Sequence, residues 1–293
     1  MGSWPNLQEL LVAANATTPV GLIGAPLAAG SVTPGACDQA PAVLRRTLKR
    51  IGRYDVETAR ELATAIADRG DVPIAGLNVE QATGPIRDAV AAGAEAQALT
   101  LLVGGNNAVT RPAVLGLGGS LDEIGLITLD AHFDMRDTSE GLSNGNPVRA
   151  LLEDGLPGTN IAQVGLAAFA NSAVMHRDAE DAGNLVVTIG DVRRDGIEHA
   201  IHKALDHVAH CDALVIDCDI DVIDRSQLPG APGARPGGMS VADFFWAVRR
   251  LAADPRTRVI DLTEWDPSLD PSDLTALTAA RWVAECLAGY EMR

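Results

Sequence analysis

Hydrophobic and polar positions along the chain follow two alternating patterns. Short aliphatic runs recur at "VGLIGAP" from Val20, "TLLVGG" from Thr100, "EIGLITLDAH" from Glu123, "IAQVGL" from Ile161, "LVVTIG" from Leu185, "ALVIDCDID" from Ala213 and "RVIDLTEWDP" from Arg258. Runs of this length and composition predict strands buried on both faces. Between them lie helical patterns at Gly84 to Leu99, Asp195 to Cys211, Val241 to Ala253 and Leu274 to Leu287. In the second of these Ile197, Ile201, Ala204, Leu205 and Val208 share one face, and Asp195 followed by Glu198 predicts a capping box. Buried strands alternating with crossover helices specify an α/β fold around a parallel sheet, and ligands of such sheets bind beyond the carboxyl ends of the strands. No repeat, low-complexity tract or long linker interrupts the pattern, so residues 1–293 are expected to form a single domain.

Composition narrows the classes of function. With 47% hydrophobic and 21% charged residues the chain reads as an ordinary globular protein. No apolar run is long enough to span a bilayer and no leader pattern opens the chain, so no membrane association and a cytoplasmic location are expected. Cys37, Cys211, Cys218 and Cys286 lie far apart without a CxxC pair, which points to core or free thiols rather than disulfides or zinc. A net charge of -16 leaves no contiguous basic surface to neutralise phosphates, which argues against nucleic acid as a partner.

The chemistry concentrates at strand ends. "DAHFD" places Asp130, His132 and Asp134 two residues apart where one strand runs out, and "DCDIDVID" does the same with Asp217, Asp219 and Asp221. Side chains two apart on a strand share a face, so each trio can point one way. Five carboxylates and one imidazole at buried strand ends repel one another and carry a heavy desolvation cost unless a cation neutralises them. A carboxylate-rich set with one histidine suits manganese or a similar hard to intermediate ion. A third strand end, "LLVGGNNAVT" from Leu101, adds two glycines followed by Asn106 and Asn107.

These residues resemble the arginase, agmatinase and formimidoylglutamase superfamily of binuclear manganese hydrolases. "DAHFD" matches its DAHxD motif, "DCDIDVIDRSQLPG" its SxDxDxxDPxxxPG motif, and "PGARPGGMS" the glycine-rich stretch that follows. "IGAPLAAGSVTPGACDQAPAVLR", "DRGDV" at Asp68, "DLTEWDP" and "DLTALTAARWV" are similar to further family segments, so the likeness covers nearly the whole chain. The resemblance implies a three-layer arginase-like fold with a central eight-stranded parallel sheet, assembled as a homotrimer or homohexamer. It implies a first Mn2+ held by Asn107, Asp130, Asp134 and Asp219, and a second by Asp130, His132, Asp219 and Asp221, with Asp130 and Asp219 bridging. Where the family has GGDHS this chain reads "GGNNA", and Asn107 takes the place of the ligand histidine. A carbonyl oxygen is a weaker manganese ligand than imidazole, so the first site is expected to bind weakly, to take another ion or to stand vacant.

A second departure bears on substrate. Arginases and agmatinases carry a histidine in a segment ending HGxP, whereas this chain reads "LSNGNPVRALL" with Asn144 at that position. That segment and "VGLAAFANSAVMHRDAEDAG" are closer to formimidoylglutamases. In the mechanism this implies, metal lowers the pKa of water, which attacks an amidine carbon. Asp134 orients the water and moves its proton to the leaving nitrogen, and Glu264 holds the amidinium. Arg149, Arg136, Asn144 and Asn171 are candidates for the substrate's carboxylates. The leading expectation is hydrolysis of N-formimino-L-glutamate. Rival expectations are a hydrolase of a guanidino compound (arginine, agmatine, guanidinobutyrate or N-hydroxyarginine) and a degenerate member without catalysis. Other conspicuous residues have plainer readings: His199, His202 and His210 form a solvated stripe, and Phe245 and Trp246 belong to core or a subunit interface.

Overall fold

A computed structural model describes residues 4–293. In chain order the strands are β1 (Leu11–Ala13), β2 (Val20–Ala25), β3 (Tyr54–Asp55), β4 (Arg60–Glu61), β5 (Ile66–Asp71), β6 (Leu99–Gly104), β7 (Ile124–Leu129), β8 (Ile161–Leu166), β9 (Leu185–Thr188), β10 (Ala213–Asp219) and β11 (Thr257–Thr263). The helices are α1 (Ala40–Thr47), α2 (Val79–Ala96), α3 (Thr110–Gly116), α4 (Pro147–Asp154), α5 (Ala173–Ala182), α6 (Ile189–Asp195), α7 (Ile197–His207), α8 (Val241–Ala252) and α9 (Leu274–Tyr290).

Nine strands form one sheet in the order β1-β5-β2-β6-β11-β10-β7-β8-β9. Every neighbouring pair in it is parallel. All seven strands legible in the hydrophobic pattern are present. The sheet exceeds the eight strands implied by resemblance, because β5 and the short edge strand β1 also pair into it. β5 escapes a hydrophobic reading because its second half is "DRGD", whose Asp68 and Asp71 are paired with Arg45 of α1 rather than packed against apolar side chains.

Period-two alternation divides the sheet's side chains between two cores. Leu101, Ile127, Ile216 and Ile260 face the side carrying α1, α7, α8 and α9, while Leu102, Leu126, Val215 and Val259 face α2, α3, α4 and α5. The result is three layers, helices on both faces of a sheet, as the alternating pattern requires. Helix starts differ from expectation in two places. α2 begins at a capping box of Asn78 with Gln81 and runs through Pro85, so Gly84 is interior. The box expected at Asp195 and Glu198 is absent: α7 starts after Gly196 with no side-chain cap, and the box lies one helix earlier, where Thr188 and Asp191 cap α6. Gly196 has φ +88°, which separates α6 from α7 and makes Asp195 the end of one helix rather than the cap of the next. Trp246 is exposed at 38%, Phe245 packs against the core, and His199, His202 and His210 are all exposed, His210 also bonding Asn160 at 2.8 Å.

Candidate metal centre and active site

The register of the central strands assembles the site. Asp217 of β10 lies beside Asp261 of β11 and Thr128 of β7, and one pleat further on Asp219 lies beside Thr263. Asp130 follows Leu129, the partner of Cys218, so it reaches the same edge. By alternation these side chains all project to the face covered by α3, where the strands end. "DLTEW" therefore repeats on β11 what "DCDID" does on β10, a parallel visible in the shared "VID" but not recognised from sequence.

Asp130, His132 and Asp221 each offer a ligand atom within 4.8 Å of one another, which makes a metal-binding group. His132 Nδ1 lies 3.0 Å from Asp221 and 3.5 Å from Asp130. Among the described residues no lysine or arginine pairs with Asp130, Asp134, Asp219, Asp221 or Glu264; the cationic partner is His132 alone. All five acids are buried. Burial pushes the Asp130 and Glu264 carboxyls up to about 7. It also drives Asp134 and Asp219 well above the carboxylate range, with the charges of Asp130 and Asp221 adding to the effect respectively. Burial opposes charge on His132 as well, but Asp221 and Asp130 outweigh it and raise the imidazole to about 12. Such frustration of buried negative charge is what a divalent cation relieves, so the donor set fits a metal. Gly233 is required here, since a Cβ on it would stand 1.9 Å from Asp221 Oδ2.

Asn107 is buried against these acids. Its Nδ2 donates to Asp134 Oδ2 (2.6 Å) and Asp217 Oδ2 (3.3 Å), while its Oδ1 accepts from Thr263 Oγ1 (2.8 Å) and Thr110 Oγ1 (3.0 Å). Asn106 serves the loop, bonding Ala29 O, Ser31 Oγ and the backbone of Ala108. The preceding glycines meet the protein's own packing rather than a ligand, for a Cβ on Gly105 would fall 1.9 Å from Leu27 O and one on Gly104 2.8 Å from Val109 Cγ2.

Asp134 and Glu264 both hold left-handed backbones, φ +52° and +58°. Neither is glycine, and strain of this kind collects at functional positions. Glu264 Oε1 accepts from the Asn107 backbone and from Asn144 Nδ2, both at 2.8 Å. Asn144 Oδ1 in turn accepts from Val32 N at 2.8 Å, so it ties Glu264 to the loop carrying Val32 and Thr33. A cavity of about 280 Å³ opens over these groups, lined by His132, Asp134, Asp219, Asp221 and Glu264. Arg136, Asn144 and Asn171 also line it, as does Arg235, which sequence reasoning passed over inside "PGARPGG". Asn171 is occupied by backbone, accepting from Phe133 N and donating to Ala131 O and Ala167 O. Arg149 is not brought to the cavity: it projects from α4 and pairs with Asp178 of α5.

Fold and site together define a three-layer α/β enzyme with a metal-binding group at the carboxyl edge of its parallel sheet. The chain belongs to the arginase family, whose model matches residues 18–289. It is 30% identical to the formimidoylglutamase of Halalkalibacterium halodurans over 275 residues, 92% of this chain and 86% of that one. The crystal structure of formimidoylglutamase from Bacillus subtilis superposes with a TM-score of 0.93 at 26% identity, covering 99% of this chain and 92% of that one. An asparagine-to-histidine variant of Trypanosoma cruzi formiminoglutamase, solved with Mn2+, superposes at 0.92 with 22% identity over 100% of both chains, a likeness of fold. No helix of the described residues is long and apolar enough to cross a membrane.

Proposed function

We propose that the chain hydrolyses N-formimino-L-glutamate to L-glutamate and formamide. The observation that carries this is one cavity lined by His132 and Asp221, which form a metal-binding group with Asp130 behind them, and by Glu264, a buried carboxylate among acids placed to receive a cationic amidinium. The formimidoylglutamases among its relatives support the substrate over guanidino compounds.

The residues present would hold the second Mn2+ on Asp130, His132, Asp219 and Asp221; a first would rest on Asp130, Asp134 and Asp219 alone, because Asn107 turns its Nδ2 toward Asp134. Bound metal supplies Lewis acidity that makes water nucleophilic near neutral pH. Asn107 reaches the first ion through Oδ1 only if its amide turns away from Thr110 and Thr263. Asp134 orients the attacking water and carries its proton to the departing nitrogen. The C–N bond to the glutamate nitrogen breaks, that nitrogen leaves as an amine, and the water oxygen remains on the carbon as formamide. Glu264 holds the amidinium with its free oxygen, Oε1 being fixed by Asn107 and Asn144. Asn144 is a positioning residue in this scheme, and Arg136 meets a carboxylate at the rim. The same reading makes the chain a single-domain cytoplasmic enzyme assembled as a homotrimer or homohexamer.

Product analysis tests the assignment. The Mn2+-loaded protein is expected to release formamide from N-formimino-L-glutamate and no urea from arginine, agmatine or guanidinobutyrate. Urea release without formamide overturns it.

A further inference from the structure

The cavity has an acidic floor and a basic rim. Arg136 and Arg235 both line it and are exposed, and among the described residues neither forms an ion pair, although the chain carries 39 acids against 23 lysines and arginines. We propose that Arg136 and Arg235 form a two-armed carboxylate clamp, with Arg235 selecting amidines that carry a second carboxylate. The proposal rests on the hydrolase reading above and deepens it.

The two arms stand on different parts of the site. Arg136 donates its backbone N–H to Gly145 O (3.0 Å), and its stem lies so close that a Cβ on Gly145 would fall 2.6 Å from Cδ. Gly145 follows Asn144, the residue bonded to Glu264, so this arm belongs to the amidinium side. Arg235 Nη1 donates to Gly233 O at 2.7 Å, and Gly233 abuts Asp221 and His132, so this arm belongs to the metal-binding side. Nη1 is spent on backbone carbonyls. The Nε and Nη2 edge has no partner among the described residues, and that edge is the fork that takes a carboxylate through two parallel bonds.

The amide side chains on the wall are already engaged, which leaves only the neutral hydroxyls of Ser172 and Thr33 beside the two arginines. Asn144 bonds Val32 and Glu264, Asn171 bonds three backbone groups, and Ser172 caps α5. A substrate with one cationic end and two carboxylates matches this charge layout. A substrate whose tail ends in an ammonium, as in agmatine, meets two guanidinium groups and is repelled.

Calorimetry on the Mn2+-loaded protein with glutarate and butyrate tests the clamp independently of turnover. Wild type is expected to bind glutarate about 10- to 100-fold more tightly than butyrate. Arg235→Ala is expected to erase that ratio, and Arg235→Lys to restore part of it. The same variant lowers the ratio of kcat/KM for N-formimino-L-glutamate over N-formimino-4-aminobutyrate by about tenfold or more. Equal glutarate affinity in wild type and Arg235→Ala overturns the clamp, and so does an equal loss for both ligands. If the ratio depends on Arg235 yet wild type releases no formamide, the clamp stands and the assigned reaction falls. Formamide release with no dependence on Arg235 gives the converse.

Discussion

At the scale of single residues the site is built from side chains held in costly states. Asp134 and Glu264 each accept a left-handed backbone, worth about 1–3 kcal/mol of strain in a non-glycine residue. Hydrogen bonds from Asn107 and Asn144 hold them there. Glu264→Gln keeps the shape but removes the charge offered to the amidinium, so kcat/KM is expected to fall about 100-fold at unchanged metal content. An effect within threefold removes Glu264 from substrate binding. Asn107→His replaces a neutral amide with an imidazole, and tighter Mn2+ uptake by about tenfold or more is expected in equilibrium dialysis. Unchanged affinity takes this position out of the metal centre. Legibility at this scale followed periodicity only in part. Asp219 was readable because period two on β10 aligns it with Asp217, whereas Asp130, His132, Asp134 and Asp221 stood out as polar residues crowded just past the ends of β7 and β10, where alternation no longer holds. Arg235 was not readable, because a loop between prolines and glycines has no period. Arg149 misled because helix α4 carries it toward Asp178.

At the scale of elements the hydrophobic code was strong where strands are buried and weak where polar groups satisfy one another. β5 hides in "DRGD" because ion pairs with Arg45 replace apolar contacts, and the Asp195–Glu198 pattern was offset because Gly196 ends α6. The Thr188–Asp191 box illustrates the energetics. Bonds from the Thr188 hydroxyl and backbone, then Arg194, hold the Asp191 carboxyl down to about 2. A depressed carboxyl stabilises the fold above its unfolded pKa near 3.9, and that contribution is lost as pH falls toward 2. Asp191 is about one-third exposed, with a side-chain exposure of 34%, so solvent screening limits the effect. Asp191→Asn is expected to cost about 1 kcal/mol in urea unfolding at pH 7, with the difference narrowing between pH 4 and pH 2. A pH-independent difference contradicts the ionic cap.

At the scale of the whole molecule, charge is the organising variable. The chain carries a net charge of -16 and places five acids with a single histidine partner inside the sheet's carboxyl edge. Asp130 and Glu264, raised to about 7, bind protons in the folded chain that the unfolded chain has already released above about pH 5. Metal-stripped protein is therefore expected to lose thermal stability as pH rises from about 5 through 7. Mn2+ is expected to stabilise it most at the upper end of that range, where protons compete least. Thermal melts with and without the ion check both trends, and stability that rises with pH in the stripped protein contradicts them. The three-layer architecture was legible from alternating strand and helix patterns. The clamp and the Asp217–Asp261 row were not, since both arise from register and loop closure between distant segments.

The central claim is that divalent cations neutralise the acids gathered at the ends of β7 and β10. Its most direct test is Mn2+ per chain, measured by elemental analysis after equilibrium dialysis of wild type and Asp219→Asn. The account predicts at least one bound ion per wild-type chain, loss of most of it in the variant, and a more stable metal-free variant because one repelling carboxylate is gone. A wild-type chain that retains no Mn2+ at saturating concentration, or a variant that binds it equally well, contradicts the account.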